Sequence, residues 1–136
     1  MRAVEQPAII ALLLHKGADP AKETPYGKTA LFYAVQYNQP ETVGLLVSAG
    51  ADVNHPIKSL EEIKTSYMHS FDVYPVEKVT EFTPLVYSLR YASPEITDYL
   101  KHHGATLGSA NPRTIHDWVM QNPQMTEAEF AKRIAP

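Results

Sequence analysis

Apolar residues recur along this chain at the spacing of helices that bury one face. Two successive runs show it: Leu31, Ala34 and Val35, then Val43, Leu46 and Val47. Asn38 lies in the break between them, and Pro40 suits the first turn of the second helix, where a missing N–H has no consequence. Gly50 follows where a helix typically ends in a left-handed residue. The pattern predicts a pair of short helices joined by a tight connection.

The same pattern occurs three times. QPAIIALLLHKGAD, which begins at Gln6, aligns with QPETVGLLVSAGAD from Gln39 and with SPEITDYLKHHGAT from Ser93. TALFYAV from Thr29 aligns with TPLVYSL from Thr83, and the interval between them equals that between the second and third copies. This interval is longer than the one between the first two copies, so an insertion lies between Gly50 and Thr83. One helix pair cannot bury its apolar face alone, but it can when it is stacked on neighbouring pairs.

These units resemble the ankyrin repeat family. The interval from Gly17 to Gly50 equals that family's period of about 33 residues, and the paired leucines and the repeat ending GADVN also match it. Thr29-Ala30-Leu31 and Thr83-Pro84-Leu85 match its Thr-Pro-Leu signature. The resemblance covers roughly Gln6 to Leu107 apart from the insertion. It implies an all-α solenoid of stacked helix pairs with short hairpin connectors, about three and a half pairs in all.

Some positions depart from the family pattern. The signature histidine is Phe32 in one repeat and Val86 in the other, and the glycine between the helices is Asn38 and Ala92. Asparagine tolerates a left-handed backbone, whereas alanine does so poorly. We therefore expect a distorted turn at Ala92, and a positive φ at Gly17 and Gly50.

We expect one domain over 1–136. It divides into a partial first repeat at 1–20, a second repeat at 21–54, an insertion at 55–80, a third repeat at 81–107 and a divergent C-terminal capping repeat at 108–136. Met1 aligns partway along a first helix, so the chain is either a fragment of a longer array or begins with a degenerate cap. In the last repeat, Asn111-Pro112 predicts a helix start, and Thr126 with Glu129 forms a capping-box pattern.

The insertion carries large apolar residues that argue against disorder. Tyr67, Phe71 and Tyr74 are among them. Two interpretations stay open for this segment. It either tucks back onto the repeats as a small satellite core, or it forms a finger that grips a partner.

Composition excludes several classes of protein. The chain has 136 residues, a net charge of −3 and no cysteine, so neither a disulfide framework nor a general nucleic-acid footprint is expected. No apolar run approaches the ~20 residues of a membrane span. We expect a cytoplasmic monomer that binds neither nucleic acid nor membrane.

The tripeptide Gly27-Lys28-Thr29 is the tail of a phosphate-binding loop, but the rest of that motif is missing. The position where the motif needs its first glycine is Lys22, and no strand pattern precedes it. The repeat interpretation makes Gly27 a turn residue, Lys28 a solvated tip residue and Thr29 a helix cap. The six histidines show no metal-ligand spacing, and no nucleophile elbow is present. We expect no catalytic residue, no cofactor and no metal.

The resemblance implies a non-catalytic module that binds another protein through its concave face and the inserted loop. It places the contacts at the hairpin tip, on the first helices and in the insertion. The candidate contact residues are Tyr26, Lys28, Gln36, Tyr37, Tyr67, Phe71, Tyr74, Arg90 and Tyr91. Tyrosine and arginine are typical interface anchors. The alternative is a regulatory or targeting fragment of a larger multidomain enzyme.

Overall fold

The computed structural model describes residues 6–25, 27–57, 83–107 and 111–135, and these residues form seven helices and no strand. The helices are α1 Pro7–His15, α2 Ala30–Gln36, α3 Pro40–Ser48, α4 Pro84–Tyr91, α5 Pro94–His102, α6 Pro112–Val119 and α7 Glu127–Ile134. An isolated bridge between Glu23 and Thr29 closes the hairpin before α2. The predicted all-α class is confirmed.

The helices form two stacked rows. The first-helix row consists of α2, α4 and α6, and the second-helix row consists of α1, α3, α5 and α7. In the first two pairs the first helix packs on the second, α2 on α3 and α4 on α5. The core lies between the rows. The described residues form one single helix, α1, followed by three helix pairs. Residues 58–82, most of the predicted insertion, lie outside the described residues.

The helices start where the sequence predicts. Pro7, Pro40 and Pro94 occupy the first turns of α1, α3 and α5. Thr29 caps α2, because its hydroxyl accepts a hydrogen bond from the Phe32 amide at 3.4 Å, and Thr83 caps α4 in the same way. Each cap satisfies one of the N–H groups that a helix start leaves without an intrahelical partner.

Glycine ends three helices of the second-helix row. The φ angles of Gly17, Gly50 and Gly104 are 92°, 95° and 89°. This is the left-handed region, which a residue without Cβ adopts at little cost. The predictions for Gly17 and Gly50 are confirmed.

The two inter-helix turns differ, as their sequences predict. Asn38 has a φ of 55°, and its side-chain oxygen accepts from the Ser93 amide at 2.9 Å. Ala92 is instead extended, with φ −86° and ψ 163°. Arg133 from α7 donates to the carbonyl oxygens of Ser88 and Ala92, at 3.2 and 2.5 Å. The last helix therefore supplies the hydrogen bonds that hold this more open turn.

The loops at the other end of the pairs are tied together by side chains. Asn54 donates through its amide nitrogen to the Gly104 carbonyl at 3.1 Å, and its amide oxygen accepts from the Thr106 N–H at 2.9 Å. The His55 ring lies 2.6 Å from the Glu23 carboxylate. Successive repeats are thus joined at their tips as well as through the core.

The C-terminal pair folds as the sequence predicts. Asn111 caps α6, and Thr126 caps α7 by accepting from the Glu129 amide at 3.1 Å. The apolar stripe of α6 is buried: Ile115, Trp118 and Val119. His116 on α6 reaches the Glu127 carboxylate on α7, at 2.9 and 3.0 Å from its two oxygens. These contacts fix the two last helices against each other.

Candidate partner-binding surface

The exposed end of α2 is formed by Gln36 and Tyr37. Tyr37, the C-cap residue, is 42 % exposed, and its ring stacks on the ring of Tyr33 with centroids 6.4 Å apart and planes at 12°. Tyr33 is buried, and it faces Tyr37 because the two residues are four positions apart. Gln36 is half-buried. The expectation of an accessible tyrosine at this position agrees with the structure.

Lys28 is not the solvated tip residue that the sequence suggested. Its side chain is completely buried, and Nζ donates to Gln36 Oε1 at 2.9 Å. The ammonium group also lies 5.0 Å from the ring centroid of Tyr33 and 5.5 Å from that of Phe32. Rings of this kind attract a desolvated cation, so the aromatic residues of α2 draw the lysine inward.

Arg90 also differs from the expected exposed contact, since only 5 % of it is exposed. Its guanidinium carbon lies 4.7 Å from the ring centroid of Tyr91 and 5.1 Å from that of Trp118. A planar guanidinium stacks readily on aromatic faces, which explains the inward orientation. The expected exposed position is therefore wrong for Lys28 and Arg90.

Tyr91 takes an intermediate position at the end of α4. It is half-buried, and its ring centroid lies 5.3 Å from that of Tyr87 and 5.8 Å from that of Trp118. Burial raises the pKa of the Tyr91 hydroxyl, while the Arg90 charge opposes that shift. The phenol is therefore neutral at physiological pH, and it can act as a hydrogen-bond donor or acceptor.

A row of aromatic rings connects the three first helices, which sequence reasoning did not predict. Phe32 of α2 lies 5.3 Å from Tyr87 of α4, and the row continues through Tyr91 to Trp118 of α6. Tyr33 and Trp118 were not among the candidate residues. The i, i+4 spacing of Tyr33 with Tyr37 and of Tyr87 with Tyr91 was a usable signal for the stacks within each helix.

Four other candidates lie outside the described residues: Tyr26, Tyr67, Phe71 and Tyr74. Their assignment to the binding surface stays a prediction.

Two observations on the described residues concern metal and catalytic chemistry. No group of three or more histidine, aspartate or glutamate residues able to hold a metal ion occurs among them. A cavity of about 320 Å³ is lined by Asp98, Lys101, His102 and Lys132. Lys101 Nζ is already bonded there to the carbonyl oxygens of Arg133 and Ala135, at 2.9 and 2.7 Å.

The Gly27-Lys28-Thr29 segment forms part of the hairpin before α2. Gly27 has a φ of 84°, Lys28 binds Gln36, and Thr29 caps α2. These are the contacts of a hairpin leading into a helix, and not those of a loop that wraps a phosphate.

The described helices are short. The longest of them have nine residues, so none in the described part of the chain has the length and apolar character needed to cross a membrane.

Comparison with known proteins agrees with this geometry. Residues 1–57 match the family model described as ankyrin repeats, three copies. No curated protein matches the sequence. Among solved structures, the crystal structure of the human ASB11 ankyrin repeat domain is similar, with a TM-score of 0.64 and 22 % sequence identity. The similarity covers 98 % of this chain and 52 % of that chain, so the protein spans about half the length of the structure that it matches.

Two independent observations therefore agree. The family model accounts for the first repeats, and the shared fold extends over nearly the whole chain. Residues 1–57 thus match ankyrin repeats, and the chain has the helical solenoid fold of an ankyrin repeat domain.

Proposed function

We propose that the protein is a non-catalytic protein–protein interaction module. Ankyrin repeats are in general protein–protein interaction modules, and the fold is typically non-catalytic. The binding surface in this proposal is the face made by the ends of the first helices, with the inserted segment beside it. The partner is a protein.

Exposed Tyr37 carries the proposal. It is the one large aromatic side chain among the described residues that combines marked exposure, 42 %, with a buried aromatic support, Tyr33. A tyrosine held in this way offers apolar area and a hydroxyl at little entropic cost, and so suits an interface anchor.

The residues beneath the surface fix its shape. Lys28 bonds to Gln36 and lies against Tyr33, so it positions two groups next to Tyr37. Arg90, on α4, lies against the Tyr91 ring and so positions Tyr91. In this proposal Gln36, Tyr37 and Tyr91 contact the partner, whereas Lys28 and Arg90 support them from within the fold.

Replacement of Tyr37 tests the proposal. The purified chain is used to capture interacting proteins, and the affinity of a captured protein is then measured for the original chain and for Tyr37→Ala. We expect Tyr37→Ala to weaken binding by ~1–3 kcal/mol, as loss of an interface anchor does. Thermal stability should change by no more than ~0.5 kcal/mol, because the side chain is exposed.

His103→Ala provides a matched control. Its exposed ring stacks on Tyr99, four positions earlier, with centroids 4.1 Å apart, but it lies in the second-helix row. His103→Ala should leave the affinity unchanged. If Tyr37→Ala keeps full affinity, or if both variants weaken binding equally, the recognition surface is not at the ends of the first helices.

A further inference from the structure

Helix α4 ends without the backbone turn that ends α2. At the end of α2, the N–H groups of Asn38 and Gln39 donate back to carbonyl oxygens of the last helical turn, at 3.1 and 2.9 Å. The counterparts of these residues after α4 are Ala92, which is extended, and Ser93, whose N–H donates to Asn38 Oδ1 at 2.9 Å. The Ser93 N–H therefore does not close the turn as that of Gln39 does, and the carbonyl oxygens at the end of α4 need other donors.

Side chains of the C-terminal helix pair supply these donors. Asn122, in the turn after α6, donates through Nδ2 to the Arg90 carbonyl oxygen at 2.8 Å. Arg133 of α7 donates through one guanidinium nitrogen to the carbonyl oxygens of Ser88 and Ala92, at 3.2 and 2.5 Å. Hydrogen bonds from an ionised donor are stronger than those between neutral groups, so the guanidinium holds this turn firmly.

Both donors are themselves held in place. Glu129, one turn earlier in α7, accepts from Arg133 Nε at 3.0 Å, and the Arg133 side chain is only 11 % exposed. Lys101 of α5 donates to the Arg133 carbonyl oxygen at 2.9 Å. Asn122 Oδ1 accepts from the Gln124 N–H at 3.1 Å, which assigns Nδ2 as the donor. The two side chains are thus oriented before they meet α4.

Tyr91 lies between the carbonyl groups that these bonds hold. It is the last residue of α4, and Asn122 binds the carbonyl of the residue before it while Arg133 binds that of the residue after it. Its ring also meets the Trp118 ring of α6 edge to face, with centroids 5.8 Å apart and planes at 79°. The C-terminal pair therefore fixes the backbone on both sides of Tyr91 and contacts its ring.

Tyr37 shows a different arrangement in the same molecule. It occupies the position of Tyr91 in the preceding repeat. Its carbonyl oxygen accepts from Gln39 Nε2 at 3.1 Å, and its ring stacks on Tyr33 of the same helix. These supports come from its own repeat, so Tyr37 serves as an internal reference for Tyr91.

We propose that Arg133 and Asn122 are positioning residues for Tyr91, through which the C-terminal helix pair sets the orientation of one side chain that contacts the partner. This inference rests on the partner-binding function proposed above. Side chains at a recognition surface depend on supporting groups that lock their orientation. A change at α7, in the second-helix row, thus reaches the binding face through hydrogen bonds to the end of α4, whereas Tyr37 is independent of it.

Two variants remove the donors separately. Arg133→Met keeps a side chain of similar length that donates no hydrogen bond. Asn122→Asp keeps the oxygen that accepts from Gln124 but replaces the amide donor with an oxygen. It leaves α7 unchanged, so the test stays decisive if Arg133→Met does not fold. Lys132→Met is the matched control, because it removes the same charge from the neighbouring, exposed position of α7.

The first measurement needs no partner. The ring resonances of the full chain, labelled in its tyrosine rings, are recorded by NMR, and Tyr91→Phe and Tyr37→Phe identify the two signals. Both donor variants should shift the Tyr91 resonance, because its ring moves relative to Trp118, and leave the Tyr37 resonance in place. A mere loss of stability would not shift the resonance of the folded chain. An unchanged Tyr91 resonance, or a shift that Lys132→Met reproduces, overturns the proposal.

The second measurement is the affinity for a captured protein. Each donor variant should weaken binding about 3- to 10-fold, and Lys132→Met should not. In a Tyr91→Ala background the donor variants should cost less than about 2-fold, because they act through Tyr91, whereas in a Tyr37→Ala background they should keep their full effect. Equal losses in the two backgrounds overturn the proposal.

These measurements separate the two proposals. If Tyr37→Ala weakens binding but the Tyr91 resonance is unchanged in the donor variants, the positioning role is wrong and the proposed function stands. If Tyr37→Ala and Tyr91→Ala both keep full affinity, the proposed function is wrong, and the positioning role falls with it.

Discussion

Arg90 illustrates how a single charged residue can belong to the core of this fold. It is 5 % exposed, and its guanidinium group lies close to the rings of Tyr91 and Trp118. The stem and the planar head therefore fill space between α4 and α6, in addition to carrying charge. Removing such a side chain loses packing as well as an electrostatic contact.

We predict that Arg90→Ala lowers the free energy of unfolding by about 2 kcal/mol, from the lost cation–π contacts and the space left between the helices. Urea denaturation, followed by circular dichroism, measures the change. Arg113→Ala serves as the control, since Arg113 is exposed on α6 and its loss should stay within ~0.5 kcal/mol. Equal midpoints for the two variants would contradict a structural role for Arg90.

Sequence reasoning failed for Lys28 and Arg90 for a physical reason. The repeat register gave the correct place of each residue on the hairpin or helix. It did not show the direction of a long flexible side chain, which depends on the rings supplied by other elements. Trp118, one of the rings that attract Arg90, lies in a different repeat. The exposed position of Tyr37 was easier to predict, because its supporting ring lies on the same helix.

At the scale of elements, local signals predicted the helix boundaries well. The caps Thr29, Thr83 and Thr126, and the glycines that end three helices, depend only on neighbouring backbone groups. The turn at Ala92 was predicted to depart from the pattern, but its stabilising partner was not. Arg133 lies in the last helix of the following repeat, far along the chain from Ala92, and no local pattern links the two.

The contact between α6 and α7 gives the protein a pH-dependent element. The pKa of His116 is raised, mainly because its ring bonds to the Glu127 carboxylate. Burial opposes this rise, and the contact with Asp117 adds to it. A raised folded-state pKa means that the stabilisation is fully present below the ordinary pKa of about 6.5. It is lost as the pH rises through the higher value in the folded protein.

We expect Glu127→Gln to weaken this dependence, because Glu127 makes the largest contribution to it. Thermal unfolding of the original chain and of Glu127→Gln, each measured at pH 6 and pH 9, isolates the contribution of the pair from those of the other histidines. The original chain should be the more stable of the two at pH 6, and the difference should shrink at pH 9. A difference that stays constant, or that grows with pH, would show that His116 is not protonated in this contact.

At the scale of the whole molecule, stability should be distributed unevenly along the stack. Seven of the eight residues of α4 are buried, whereas only Ile10 is buried in α1. In a stacked array each repeat contacts only its neighbours, so a terminal helix has one packing partner where a central helix has several. Helix α1 packs on α3, while α4 contacts α2, α5, α6 and α7.

Native-state hydrogen exchange should therefore show graded protection, with the amides of α1 opening at a lower free energy than those of α2 to α5. Ile10→Ala removes the buried anchor of α1, and we expect it to accelerate exchange in α1 while the protection of α6 and α7 changes little. Mass spectrometry of peptides from each helix can follow these changes separately. Uniform protection across all helices would contradict this expectation. An Ile10→Ala effect that reached α7 in full would do the same, because the described residues would then unfold as one unit and the end of the stack would be no weaker than its centre.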